Sequence, residues 1–304
     1  KHILSKHAES PYPVLVFIDN ARYMDSQSRE FFQFFLKNAD IKPFFLLADR
    51  EPDEELVELF RGLGVIEVSP LNREDSRALL ERLWPDLQDE GLVQTILSNS
   101  AGNPLFIKEY ARFVRDNRDA TALPTTIQNI FLTSVDSYPH AMRELLKKLS
   151  AFVHSFSFED AKYIQEKTDA DPGVVDTALP EFMREGILIQ EQDIYMFKHD
   201  VFKKALYNSL LNHNKKILHR LIATRMQMSK QPHILRLLHH LSRAEEYSEL
   251  RRVLRNAANV HTQMDYIYYF DLLLDRTDPA DSDNVTEYLF YKSAILFNNG
   301  ASED

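Results

Sequence analysis

A parallel α/β portion followed by an all-helical remainder is the fold class that this 304-residue sequence predicts. Three observations carry that expectation. VLVFI at 14–18 and FFLLA at 44–48 are uninterrupted β-rich runs, the pattern of strands buried on both faces of a parallel sheet. Past Pro70 that pattern stops, and apolar spacings of three and four take over. Glycine is scarce, at 7, as in a mainly helical chain with few tight hairpins.

The elements follow in order. Ser26 to Lys37 reads as a helix with Ser26 as N-cap and a broad apolar face from Phe31, Phe32, Phe34, Phe35 and Leu36. Pro43 opens the second strand, Glu54 to Phe60 gives a short helix, and Val65 to Val68 reads as a third strand. Strand and helix alternating at this spacing make parallel crossovers. Short helices come next, at Ser76–Leu83, Gly91–Ser98, Pro104–Val114, Pro124–Ser137 and Ala141–Phe152. Two helices near 159–166 and 173–185 then precede GILIQEQDIYMFKH at 186–199, two β-runs around a polar turn. Helix, helix, hairpin is the layout of a winged helix. From Val201 on, amphipathic helices such as RAEEYSELRRVLRNAANVH and QMDYIYYFDLLLDRT suggest a helical repeat array. The expected domains are 1–70, 71–140 (a helical lid), 141–212 (the winged helix) and 213–304 (the repeat array).

Composition bounds the function. A formal net charge of −10 argues against a general nucleic-acid or anionic-membrane binder, which needs clustered Lys and Arg. Zero Cys excludes disulfides and thiolate metal sites and fits a reducing, cytoplasmic compartment. No apolar run approaches the roughly 20 residues that span a bilayer. Opening on Lys1 rather than Met, the sequence is expected to be a fragment.

The chemistry centres on strand ends. Asp19 closes the first run, where open α/β sheets bind ligands. Asn20 follows it, a residue that can hydrogen-bond but cannot take a proton. Arg50 closes the second run, where a guanidinium could sense a terminal phosphate, or could simply pair with Glu51. Asp25 and Tyr23 lie on the loop above the same edge. Gly102, Asn103 and Pro104 open a helix: Pro loses no hydrogen bond there, and Gly102 lets the backbone approach a flat ligand, unless the turn is a plain helix start. His199 opens another helix, either as a capping or core histidine or with its ring reaching a phosphate. His219, His233, His239 and His240 lack a regular ligand spacing with carboxylates, so no metal site is expected from them.

VLVFIDNARYMDSQSREFF…PFFLLADRE resembles the Walker-B and sensor-1 strands of the STAND branch of the AAA-like, P-loop ATPases. In particular it resembles the predicted-ATPase module of large bacterial transcription regulators and multidomain cyclases and kinases. That family has two acids, then a His-Trp pair and a further Asp. Here Asp19 and Asp25 match, Asn20 replaces the second acid and Tyr23 stands for the Trp. SAGNPLFIKEYARFV at 100–114 matches the family's GNP helix start, LPTTIQNIFLTSVD at 123–136 the next helix, and YMFKHDVFKKALYNSLL…LHRLIA at 195–223 the winged-helix histidine segment. The resemblance spans roughly 11–260 and implies roles. Asp19 would hold Mg²⁺ through water, Arg50 would read the terminal phosphate, Gly102, Asn103 and Pro104 would lie against adenine, and His199 would report phosphate.

ATP or ADP with Mg²⁺ are thus the cofactors expected in the full-length protein. The sequence contains no G-x-x-x-x-G-K-[ST] loop, which in this family precedes the metal strand. The chain alone is therefore expected to bind nucleotide weakly or not at all, and hydrolysis is expected to be slow or lost. The expected function is part of a nucleotide-held signalling switch, with protein partners on TPR-like repeats and an attached effector domain. The main alternative is a decayed ATPase scaffold that recruits partners. A winged-helix DNA binder is disfavoured, because DADPGVVDTALPEFMREGI carries several acids and a single Arg.

Overall fold

Strand β1 (Leu15–Asp19) runs into a 3-10 turn, Ala21–Tyr23, and helix α1 (Ser26–Asn38). Strand β2 (Phe44–Ala48) and helix α2 (Glu54–Leu59) follow. Then come α3 (Arg73–Leu83), α4 (Glu90–Ser100), α5 (Pro104–Asp116), α6 (Ile127–Asp136) and α7 (His140–Leu149). Strand β3 (Ser155–Ser157), α8 (Phe158–Thr168), α9 (Val174–Arg184), β4 (Leu188–Glu191) and β5 (Ile194–Phe197) form the next group. Six further helices follow: α10 (Asp200–Ser209), α11 (Asn212–Gln227), α12 (Ile234–Ala244), α13 (Tyr247–Ala258), α14 (Asp265–Leu274) and α15 (Ser282–Asn298). The computed structural model describes residues 15–38, 44–49, 54–60, 64–116, 126–168, 171, 173–230, 232–260 and 263–299. The architecture is mostly helical with two small sheets. The described residues fall into two compact units, one from residues up to 66 together with those from 251 on, the other from 67–250.

In the first unit β1 and β2 pair in parallel, with Leu15 opposite Phe44 and Asp19 opposite Ala48. One sheet face carries Ile18, Phe45 and Leu47 onto Phe32 of α1 and Leu56 and Phe60 at α2. Phe45 stands edge-on to Phe32 at 5.8 Å between centroids, a favoured aromatic geometry. The opposite face, Leu15 and Phe17 beside Phe44 and Leu46, is exposed. The strand expected at Val65–Val68 does not form: among the described residues these have no ladder partner, and Val65, Ile66 and Val68 are 86–89% exposed. A strand needs a neighbour to hold its backbone groups, and β2 supplies that only to β1 among the described residues.

The start of α1 also differs from expectation. Asp25, not Ser26, is the cap: its carboxylate accepts from the Ser28 amide at 2.7 Å. Ser26 is the first helical residue, and its amide and hydroxyl both donate to Asp265 of α14, at 3.0 and 2.5 Å. In the same unit, α14 packs on α15 through Phe270, which stacks on Tyr291 at 5.4 Å.

In the second unit three helices expected to start at Ser76, Gly91 and Pro124 start at Arg73, Glu90 and Ile127, each behind a polar cap. Asn72, Asp89 and Thr126 accept from the amides of Asp75, Leu92 and Asn129, three residues on in each case. One continuous core runs from Leu80 through Ile107, Leu146 and Phe182 to Ile222. The antiparallel sheet has the order β3-β5-β4, so the expected β4–β5 hairpin gains a third strand. β3 escapes sequence reading because a single apolar residue between two Ser is too short a run to mark a strand. Helices α8 and α9 pack against this sheet, and α11 packs along α12.

Candidate functional site

Both strands of the parallel pair leave the sheet at one edge, their carboxyl ends, where α/β sheets bind ligands. Asp19 ends β1 with its side chain exposed, and one carboxylate oxygen accepts from the Asn20 amide at 2.9 Å. Asn20 sits in the left-handed region at φ 52°, a conformation that Asn tolerates better than most residues. Its presence where a second acid would be expected thus has a backbone reason. Asp25 lies on the following loop as the α1 cap. Arg50 lies outside the described residues.

Two residues that sequence reasoning did not single out meet at this edge. Asp49, one step past β2, accepts from the Arg22 amide and from Arg22 Nε, each at 2.5 Å, and its side chain is only 5% exposed. Arg22 Nη2 is buried and has no hydrogen-bond acceptor among the described residues. The sequence signal was slight, an Arg three positions after a strand end and an Asp directly after another.

Among the described residues no group of three or more His, Cys, Asp or Glu side chains is arranged to hold a metal. An ion at Asp19 would therefore take its other ligands from water and phosphate, as Mg²⁺ commonly does.

The remaining candidates lie in the second unit, each with a structural task. Ala101 and Gly102, at φ 47° and 75°, terminate α4. The Gly102 carbonyl accepts from the Leu71 amide at 2.9 Å, and a Cβ on Gly102 would lie 2.3 Å from the Leu71 carbonyl oxygen. The glycine therefore admits the 70–71 backbone. Asn103 caps α5 through its carbonyl oxygen, which accepts from the Leu105 amide at 3.0 Å, and Pro104 is the first helical residue. The side chains of Asn103 and Pro104 remain exposed.

His199 precedes α10, makes no side-chain cap, and lines a cavity of about 830 Å³ with Lys108, Arg112, Tyr138, Glu185 and Lys198. Burial, with Lys198 and Lys108 nearby, lowers the His199 pKa and so favours the neutral ring. Arg112 pairs with Glu185, donating to both its carboxylate and its backbone carbonyl. Burial first, then Glu185 and Glu181, pushes the Tyr138 hydroxyl up to about 12. Burial raises the Glu109 carboxyl as well, against the pull of Arg112, Lys108 and Lys198.

A buried histidine network lies in the same unit. His219 Nδ1 and His240 Nδ1 share a hydrogen bond at 2.8 Å, the Tyr207 hydroxyl meets His219 Nε2 at 2.8 Å, and both rings are 2% exposed. Burial holds His219 down near about 3 and His239 near about 4, and lowers His240 well below the usual imidazole range. No spacing rule in the sequence joins positions 21 residues apart on two helices.

No protein-family model matches the chain, and no curated protein matches it. Solved structures do match. One of them is the Signal Transduction ATPase with Numerous Domains (STAND) protein with a tetratricopeptide repeat sensor from Pyrococcus horikoshii, at a TM-score of 0.56 and 16% sequence identity. The match covers 94% of this chain and 41% of that one. At this identity the likeness is one of fold, and by fold this chain is STAND-like.

Proposed function

We propose that this chain is part of a STAND-type signalling switch, in which bound ADP or ATP sets how a helical lid and a winged helix pack. The observation that carries the reading is a chain-ordered set of parts on a STAND-like fold. A strand-terminating Asp19 comes first, then the Gly102–Asn103–Pro104 turn, then His199. In this reading the β1–β2 pair is part of a larger nucleotide-binding α/β domain. The exposed apolar sheet face supports that, because parallel sheets are ordinarily covered on both faces. Residues 71–140 act as lid, 141–212 as winged helix and 213–304 as TPR-like repeats that hold protein partners.

The nucleotide would bind with Mg²⁺, whose role is to neutralise phosphate charge. Asp19 orients that ion's water shell, Arg50 reads the terminal phosphate, Pro104 flanks adenine and His199 reports the phosphate to the winged helix. The switch needs different nucleotide affinities in the two packings, since a ligand shifts an equilibrium only by that difference. Asn20 cannot accept a proton, so hydrolysis is slow or absent. Nucleotide co-purifying with the full-length protein, identified after denaturation, is the expected result; repeated isolation free of nucleotide would refute the switch.

The second reading is a scaffold whose ATPase core has decayed. The left-handed Asn20 favours it, because a backbone role explains that residue without any chemistry. A winged-helix DNA contact is weakest, given Asp176, Glu181 and Glu185 at α9 against the single Arg184. A salt-dependent DNA shift would be its sign.

A further inference from the structure

We propose that Arg22 reads a phosphate oxygen of a metal-complexed nucleotide at the β1–β2 strand edge, through an Nη2 donor that the fold leaves without an acceptor. The inference rests on the nucleotide reading given above and names a residue that reading does not use.

Arg22 lies in the 3-10 turn directly after β1, and Asp49 directly follows β2. The parallel register brings both to one edge. Asp49 grips Arg22 twice, at its backbone amide and at Nε, so the guanidinium plane is set by protein contacts. Nη2 is then buried with no partner among the described residues. A guanidinium carries five donors and stays charged, so an unmet buried donor is more costly than a neutral one. Buried unsatisfied groups are rare and call for an explanation by function or a bound species. A ligand oxygen completing the guanidinium's contacts supplies one.

The charge around the edge narrows the ligand. Asp19, Asp25 and Asp49 all belong to this edge, and Asp49 is already occupied by Arg22. Asp25 is engaged as a helix cap, while Asp19 is exposed and, among the described residues, takes a hydrogen bond only from its neighbour's amide. A free anion would meet the exposed charge of Asp19 here, beside the Asp25 cap. An anion that arrives with a divalent cation would not: Asp19 favours the cation's water shell while Arg22 Nη2 takes a phosphate oxygen. The ligand class is therefore a metal-complexed di- or triphosphate. Arg rather than Lys suits the position, because only the fork can hold Asp49 and a second oxygen at once.

The test is a titration of this chain, labelled with ¹⁵N at arginine and backbone positions, with millimolar MgADP, with ADP plus chelator, and with Mg²⁺ alone. MgADP should shift the Arg22 Nη signal and the amides of Asp19 and Asn20, and the other two additions should not. Arg22→Gln should weaken the MgADP response by about tenfold or more, as expected for loss of a charge-assisted hydrogen bond. Arg22→Lys, which keeps the charge, should fall between, and thermal melting checks that both variants fold. Amide shifts with an unmoved Arg22 Nη and an unaltered Arg22→Gln titration would overturn the inference while leaving the nucleotide reading intact. The same shifts from Mg²⁺ alone would overturn the phosphate contact. No response to MgADP, in this chain or in the full-length protein, would remove the nucleotide reading and this inference with it.

Discussion

A Cβ on Gly102 would press to 2.3 Å from the Leu71 carbonyl oxygen, and the residue's φ of 75° already disfavours any side chain. Gly102→Ala should therefore destabilise the second unit by about 2–4 kcal/mol, adding left-handed strain to a backbone clash. Urea unfolding measures it, and a variant as stable as wild type would show that the 70–71 segment yields easily. Asn103→Ala should remove only a cap, about 1 kcal/mol. The two variants separate backbone tightness from capping within one turn. Asn20 illustrates a different balance: the left-handed backbone favours Asn, whereas a proton acceptor would favour Glu or Asp. At this residue the conformational reason is visible and the chemical one is missing.

The contact between α11 and α12 is written in histidine rings. His219 and His240 share a single hydrogen bond between two Nδ1 atoms, which holds one proton, so a second would meet a like charge inside the core. The groups around them are mostly basic: Lys203 on α10, Lys215 on α11, Arg236, His239 and Arg243 on α12, and His154 before β3. Asp200 is the acid that acts on His154. All three core imidazoles have folded pKa values depressed below the usual ~6.5. Below that pH the unfolded chain takes up protons that the folded chain refuses. Stability from these rings is thus complete above about 6.5 and declines as pH falls toward the lowered folded values, by up to about 1.4 kcal/mol per pH unit for each ring. Thermal melting at pH 7 and pH 5 should show the drop, and His240→Gln should make it smaller. Equal pH dependence in wild type and variant would contradict this account. The drop that carboxylates cause is common to both proteins and cancels in the comparison.

Two outcomes are expected of the whole molecule. This chain contains no phosphate-cradling glycine loop, so it should bind MgADP no better than millimolar and show no ATPase activity. Micromolar affinity by calorimetry would contradict that. In the full-length protein, His199→Ala should loosen the nucleotide-held state. A charge-assisted hydrogen bond of this kind is worth roughly 1.5–3 kcal/mol, about tenfold or more in the closed population. Limited proteolysis with and without ADP reads that population. Protection by ADP that is equal in wild type and variant would make His199 a structural residue. The lowered His199 pKa sharpens the expectation, because a bound phosphate would have to raise it before the bond became charge-assisted.

What the sequence determined by itself is local. Helix hydrogen bonds join residues four apart, so apolar periodicity was enough to locate α3, α4 and α6 within a few residues, while their caps at Asn72, Asp89 and Thr126 appeared only in the structure. The apolar runs at 14–18 and 44–48 likewise marked β1 and β2, and the polar turn between Gln190 and Ile194 marked the β4–β5 hairpin. The chain positions of Asp19, Gly102 and His199 were readable for the same reason: each stands at the end or start of an element. Tertiary structure alone decided whatever depends on partners distant in sequence. It withheld a ladder from Val65–Val68, whose composition is as β-rich as its neighbours', because a strand exists only beside another strand. It recruited Ser155–Ser157 into a sheet for the converse reason. It joined Arg22 to Asp49 across 27 positions and His219 to His240 across 21, contacts that no spacing rule anticipates because their distances are set by packing rather than by backbone repeat.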